Sequence, residues 1–410
     1  MNLLFVHQNF PGQYKHIAPA LARMGHRVVA LGMNGQAVLP GGQVLSYALS
    51  RGGAPQTHVL ASEFEAKTLR AEAVARAAAE LKSQGFAPDV ICVHSGWGES
   101  LFLKDVWPQA AMLSFLEYFY RYRGADVNFD PEFQDDSLDA AARVRVKNAN
   151  LMLALDAMDC GLSPTRWQRD GFPEWSHPRI EVIHDGVDTA LARPNPQAVL
   201  ESEGDGQAYR AGDEIITFVS RNLEPYRGFH VFMRSLPRIL ERRPKARVLI
   251  LGGEEKGYGP LRADGKSWRQ SLLEEVGPQL DPARVKFLGQ VPYAVYLGIL
   301  QVSAVHVYFT YPFVLSWSML EAMSSGCLVV GSRTPPVEEV IRHGDNGLLV
   351  DFFDVNALAD TVAQALARPG EFADVRTRAR QTIVDRYDLH NICLPRHIGL
   401  IERLAKGQTL

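Results

Sequence analysis

The chain has 410 residues, 46% hydrophobic and 22% charged, with 43 basic against 46 acidic side chains and a formal net charge of −3. Single cores stop growing near roughly 250–300 residues, so this length predicts two domains rather than one. The balanced charge excludes a global positive field for gripping a nucleic-acid backbone. Four dispersed cysteines, Cys92, Cys160, Cys327 and Cys393, lack metal-ligand spacing and fit a reduced, cytoplasmic protein.

The first residues carry no basic n-region and their apolar run is too short for a signal peptide, so no export is expected. Leu3 to Val6, a helical stretch to Met24 and Val28 to Leu31 predict strand, helix, strand, the unit of a parallel α/β sheet, with Gly25 at the helix C-cap. Further strands are predicted at Val90 to Val93, Ala111 to Phe115 and Ile180 to Ile183. After Pro194-Asn195-Pro196, the acidic stretch Glu201 to Gly206 reads as a linker or exposed loop.

A second series of strands is predicted at Ile215 to Val219, Val248 to Leu251, Val285 to Leu288, Ala304 to Tyr308, Leu328 to Val330 and Leu348 to Val350. Helices are predicted at Phe229 to Arg242 and Leu315 to Ser325, and near the end at Ala357 to Ala367 and Leu394 to Leu404. No charged residue lies between Lys286 and Glu321, a gap long enough to cross a bilayer. Its glycines, prolines, glutamines and His306 favour a buried strand, helix and strand over a membrane span.

The first strand-to-helix turn, Phe10-Pro11-Gly12-Gln13, has one glycine instead of GxGxxG, and GxxxxGK[ST] is missing. Neither dinucleotide nor P-loop ATP binding is supported. By contrast, Ser220-Arg221-Asn222-Leu223-Glu224-Pro225-Tyr226-Arg227-Gly228 directly follows a strand and puts two cations at the carboxyl edge of a sheet.

That segment, Leu320-Glu321-Ala322-Met323-Ser324-Ser325-Gly326, Glu338-Glu339-Val340-Ile341 and Gly344-Asp345-Asn346-Gly347-Leu348-Leu349-Val350 together resemble the nucleotide-sugar-binding domain of glycosyltransferase family 4. Val182-Ile183-His184-Asp185-Gly186-Val187-Asp188-Thr189 resembles that family's entry into its second domain. The resemblance implies the GT-B fold: two Rossmann-like α/β domains with parallel sheets facing a cleft. Residues 1–190 would bind the acceptor, 191–384 the donor, and 385–410 would return to the first domain. It further implies a retaining transferase that moves a sugar from a nucleoside-diphosphate sugar, its co-substrate, to an acceptor hydroxyl in glycan, polysaccharide or glycoconjugate biosynthesis.

In that reading Arg221 and Arg227 hold the diphosphate, where negative charge grows in the transition state; the alternative is a pair of surface salt-bridge arginines. The helix beginning near Ser316 to Ser318 offers N–H groups to the same phosphates, Glu321 accepts from the ribose hydroxyls, and Gly12 lets backbone approach the donor. His94 and Glu117 face the acceptor, although His94 suits a buried structural role equally. Arg121, Arg123, Asp126, Asp130 and Glu132, mixed with aromatics, suit a carbohydrate or a solvated loop. One position departs from the family: the first acid of its paired-glutamate motif falls on Phe313.

No Asp-x-Asp triplet occurs, which favours metal-independent transfer and no cofactor. The acceptor class stays open among carbohydrate, lipid-linked and other hydroxyl compounds. Residues 1–190 hold 17 basic and 21 acidic side chains, so no overall attraction to anionic lipid is encoded, although a local basic patch would permit peripheral membrane contact. Two rival readings are a nucleotide-sugar epimerase or hydrolase on the same fold, and a non-catalytic nucleotide-sugar-binding subunit.

Overall fold

A computed structural model describes residues 1–201, 206–260 and 262–408; the acidic residues 202–205, read above as linker or loop, lie outside the described residues. The chain divides into two compact units, Met1–Asp185 with His390–Leu410, and Gly186–Leu389. These boundaries differ from 190/191 and 384/385 because Val187 is tied to the chain leaving the second unit. Its N–H donates to the Tyr387 carbonyl at 2.8 Å, and its carbonyl accepts from Leu389 N–H at 2.8 Å.

The first unit is built on seven parallel strands: β1 (Asn2–Val6), β2 (Arg27–Gly32), β3 (Gln43–Ser46), β4 (Val90–His94), β5 (Ala111–Phe115), β6 (Cys160–Ser163) and β7 (Ile180–Val182). Their order is β3-β2-β1-β4-β5-β6-β7. Both faces are covered, which is why the strands read as unbroken apolar runs instead of alternating ones. Leu3 and Phe5 pack with Leu400, Ile401 and Leu404 of the helix Leu394–Ala405. Leu4 and Val6 pack on the opposite face with Val74, Ala78 and Leu81 of the helix Ser62–Ser83.

The second unit has a small antiparallel pair, β8 (Val199–Glu201) and β9 (Ala208–Arg210), and six parallel strands. These are β10 (Ile215–Asn222), β11 (Arg247–Gly253), β12 (Val285–Gly289), β13 (Val305–Tyr308), β14 (Leu328–Ser332) and β15 (Leu348–Val350), in the order β12-β11-β10-β13-β14-β15. Both large sheets reverse their winding direction once, between β1 and β4 in the first and between β10 and β13 in the second. In open α/β sheets ligands bind beyond the carboxyl ends of the strands at that reversal.

The uncharged gap forms β12, the helix Tyr293–Val302 and β13, inside the second unit. Among the described residues no helix is long and apolar enough to cross a membrane. The four cysteines are buried and none is in a disulfide.

Four histidines give the folded chain a defined acid sensitivity, among them His397, which burial lowers to about 4. His7, His184 and His306 are all buried. Burial, reinforced by a neighbouring histidine for the first two, lowers them to about 4, about 3 and about 3 respectively. Each binds its proton more weakly folded than unfolded, so the stability they contribute is complete above pH 6.5 and is lost as pH falls towards 4 and 3. Urea unfolding between pH 6 and 5 should show an uptake of about three to four protons attributable to these four groups. Replacing His306 by Gln should lower that uptake by about one; an unchanged uptake would refute the assignment.

Candidate active site

The register of the first sheet sets Val6 of β1 beside Val93 of β4, so His7, just past β1, and His94, the last residue of β4, stand side by side at its reversal point. Their rings lie 5.1 Å apart and nearly perpendicular. His94 Nδ1 accepts the Gly96 N–H at 3.2 Å, which assigns the proton of the neutral ring to Nε2. Nε2 faces Glu117 Oε2 at 3.6 Å. The other carboxylate oxygen of Glu117 accepts from Gln13 Nε2 at 3.3 Å.

Gly12 is required beside this cluster. It has φ +48°, and a Cβ there would sit 2.6 Å from the His7 ring. His7 Nδ1 accepts the Asn9 N–H at 2.9 Å, so this ring too is neutral with its proton on Nε2. The structure therefore brings Gly12, His94 and Glu117 together and adds His7 and Gln13. Trp97 stacks on His94 at 5.7 Å.

The loop after β5 is more ordered internally than a solvated loop. The Tyr118 hydroxyl donates to buried Asp126 at 2.7 Å, Asp130 accepts the Glu132 N–H at 2.9 Å, and Arg121 donates to the Gly171 and Asp170 carbonyls at 3.0 Å. Asp126 and Asp130 build the loop itself and Arg121 ties it to residues 170–171, while the side chains of Arg121, Arg123 and Glu132 are exposed.

At the reversal point of the second sheet stands Arg227, last residue of the turn Pro225–Arg227 that follows β10. It is only 6% exposed. Its Nη1 donates to Thr310 Oγ1 at 2.9 Å and the Val314 carbonyl at 2.8 Å, with a longer contact of 3.4 Å to the Tyr308 hydroxyl. That hydroxyl accepts the Ser316 N–H at 2.7 Å, linking the cation to the start of the helix Trp317–Ser324. Ser316 caps this helix and its Oγ lies 3.0 Å from Ser318 Oγ. Arg221, on β10, is exposed, and among the described residues no hydrogen bond or ion pair engages its side chain.

Glu321 sits one turn into that helix, buried, and is held by a different element. Its Oε1 accepts from the Tyr293 hydroxyl at 2.8 Å and its Oε2 from the Tyr296 hydroxyl at 2.7 Å. It therefore does not face solvent as a helix glutamate usually does.

Phe313, the departure from the expected pattern, is buried. It packs edge-on against Tyr258 at 4.8 Å and Tyr226 at 5.5 Å. The Arg227 guanidinium lies 5.3 Å from the Tyr258 ring centre and 5.7 Å from that of Phe313. Buried Glu224 fixes Tyr258 from behind, accepting the Tyr258 and Gly259 N–H groups at 2.8 and 2.9 Å. Among the described residues no carboxylate forms an ion pair with Arg227. Aromatic faces here attract the cation without neutralising it, where a glutamate would have competed with an anionic ligand.

His7, Tyr258, Tyr293, Tyr296 and Tyr308 did not stand out in the sequence. His7 alone carried a signal: it is the first polar residue after the first strand, at a position the strand order makes the mouth of the sheet.

Residues 24–192 match the model for the glycosyl transferase family 4 group, and residues 213–368 that for glycosyl transferases group 1. Among curated proteins, the D-inositol 3-phosphate glycosyltransferase of Corynebacterium efficiens is 30% identical over 190 residues, covering 46% of this chain and 43% of the relative. That of Mycobacterium avium is 28% identical over 207 residues, covering 49% and 44%. The chain thus spans less than half the length of these relatives.

Solved structures match almost end to end. Sucrose-phosphate synthase from Thermosynechococcus elongatus superposes with a TM-score of 0.71 at 17% identity, covering 99% of both chains. Anabaena HepE in complex with UDP and glucose superposes at 0.67 and 16% identity, covering 98% of this chain and 100% of the other. These likenesses show the fold, which is GT-B. The first unit thus matches the glycosyl transferase family 4 group and the second matches glycosyl transferases group 1, one glycosyltransferase family model on each.

Proposed function

We propose that this chain transfers a sugar from a nucleoside-diphosphate sugar to an acceptor hydroxyl, with retention of configuration and without a divalent metal, in cytoplasmic glycan, polysaccharide or glycoconjugate biosynthesis. The observation that carries the reading is Arg227, a buried cation in no ion pair among the described residues, linked through Tyr308 to a helix N-terminus at the reversal point of a parallel sheet. A leaving diphosphate gains negative charge as the bond to the anomeric carbon breaks, and a preorganised cation stabilises that change. Exposed Arg221 supplies a second cation and Glu321 binds the ribose. Ser316 and Ser318 present the helix N-terminus to the phosphates.

The second unit is thus the donor side and the first the acceptor side. Gly12 brings backbone to the donor, while Glu117, oriented by Gln13 and His94, receives the acceptor hydroxyl. The new bond forms on the face the diphosphate leaves, and the acceptor proton passes to the departing phosphate oxygen. The curated relatives are named for an inositol phosphate, and HepE holds UDP and glucose; both accord with a nucleotide-sugar donor and a hydroxyl acceptor.

Thermal shift with UDP, ADP, GDP and their glucose conjugates is expected to show stabilisation by at least one nucleotide. No response across the panel would overturn the donor site. Turnover of the stabilising donor should need an added acceptor and survive chelator. Fast release of free sugar without acceptor would favour a hydrolase, and activity lost in EDTA and restored by magnesium or manganese would overturn metal independence.

A further inference from the structure

The pair of tyrosines on Glu321 is more than packing. Tyr293 and Tyr296 stand one turn apart on the helix Tyr293–Val302, so both hydroxyls project from one side of it. Each donates to a different oxygen of the same carboxylate, at 2.8 and 2.7 Å. Tyr296 is 9% exposed, Tyr293 is 47% exposed and Glu321 is 8% exposed. No lysine or arginine forms an ion pair with Glu321 among the described residues.

A buried carboxylate without a cation is costly unless hydrogen-bond donors satisfy it. Two hydroxyls do so here while occupying one acceptor site on each oxygen, and a carboxylate oxygen has a second site. Lysine or arginine in their place would neutralise the charge that makes the carboxylate a strong acceptor. Burial and the adjacent carboxylate raise both tyrosines above their ordinary range, so both remain protonated donors. A glutamate has several rotatable bonds and would otherwise lose rotamer freedom on meeting a ligand.

We infer that Tyr293 and Tyr296 are positioning residues that lock Glu321 in one rotamer with one acceptor site free on each oxygen, matched to the two adjacent hydroxyls of a nucleotide ribose. This rests on the donor reading above. It makes the tyrosine pair the determinant of ribose against deoxyribose discrimination, whereas Arg221 and Arg227 carry affinity for the diphosphate.

The test measures affinities, by titration calorimetry, of the full chain for UDP, ADP and GDP, for their 2′-deoxy counterparts, and for inorganic diphosphate. Wild type is expected to prefer the best-bound ribonucleotide over its deoxy form by about tenfold or more, the weight of a hydrogen bond to a charged acceptor. In Tyr296→Phe and Tyr293→Phe that preference should shrink by about threefold or more, with affinities for the deoxynucleotide and inorganic diphosphate unchanged. Tyr293→Phe alters a half-exposed side chain and keeps the test available should Tyr296→Phe fold poorly.

A preference retained in both variants would overturn the inference. So would ribo- and deoxynucleotide affinities falling together, the mark of a merely structural role. Absence of any preference in wild type, with Glu321→Ala binding nucleotide normally, would instead remove the ribose role of Glu321 itself, a distinguishable failure.

Discussion

Arg227→Ala is expected to lower kcat/KM for transfer by about 10²–10³-fold, the effect of removing one preorganised donor from a developing oxyanion. The substitution also strips Thr310, the Val314 carbonyl and Tyr308 of a shared donor inside the protein. An unpaired buried polar group costs about 1–3 kcal/mol, so part of any loss could arise from local rearrangement. Arg227→Lys separates the two effects. It keeps a cation but cannot reproduce the planar fork that reaches several acceptors at once. An intermediate rate with an intact circular dichroism spectrum is the expected result. Near-normal turnover in folded Arg227→Ala would remove the diphosphate role.

Gly228→Ala should damage both stability and activity. The residue ends the turn carrying Arg227 at φ +66°, and an added Cβ would lie 2.3 Å from Phe309 Cβ. Phe309 cannot retreat easily: it is fully buried and its ring packs on Phe352 at 5.4 Å. The left-handed backbone alone costs an alanine about 1–2 kcal/mol, and overpacking adds about 1–3 kcal/mol. Gly344→Ala supplies the comparison, because Gly344 has φ +77° with nothing near its Cβ position. Urea midpoints should show Gly344→Ala losing only the backbone cost and Gly228→Ala losing clearly more. Equal losses would show that the Phe309 contact is not what requires glycine.

Much of the sheet architecture was legible because buried parallel strands leave continuous apolar runs: Ala111 to Phe115 and Leu348 to Val350 form strands with those bounds, as Phe229 to Arg242 forms a helix. Elements without that signal were passed over. The helix Ser62–Ser83 is rich in alanine and charge, with little contrast between its faces. Strand β3 is a partly exposed edge, and β6 reads Cys-Gly-Leu-Ser, of low strand propensity.

At the site, local sequence showed the cations and the glutamate but not what holds them. Tyr293 precedes Glu321 by 28 positions and Tyr308 follows Arg227 by 81. Such pairs are created by strand order, and a chain pattern does not show strand order. Phe313 looked like a defect when measured against a family motif; in place it is part of the aromatic wall around Arg227.

The path of the chain has a consequence for biogenesis. The second unit is inserted between residue 185 and residue 390 of the first, whose core requires Leu400, Ile401 and Leu404. On the ribosome the second unit is contiguous and free to fold as soon as Leu389 emerges. The first, although synthesised earlier, waits with one face of its sheet covered only in part, by the helix Ile17–Arg23, until the last helix arrives. Nascent chains stalled between these points are the species for which a chaperone would compete.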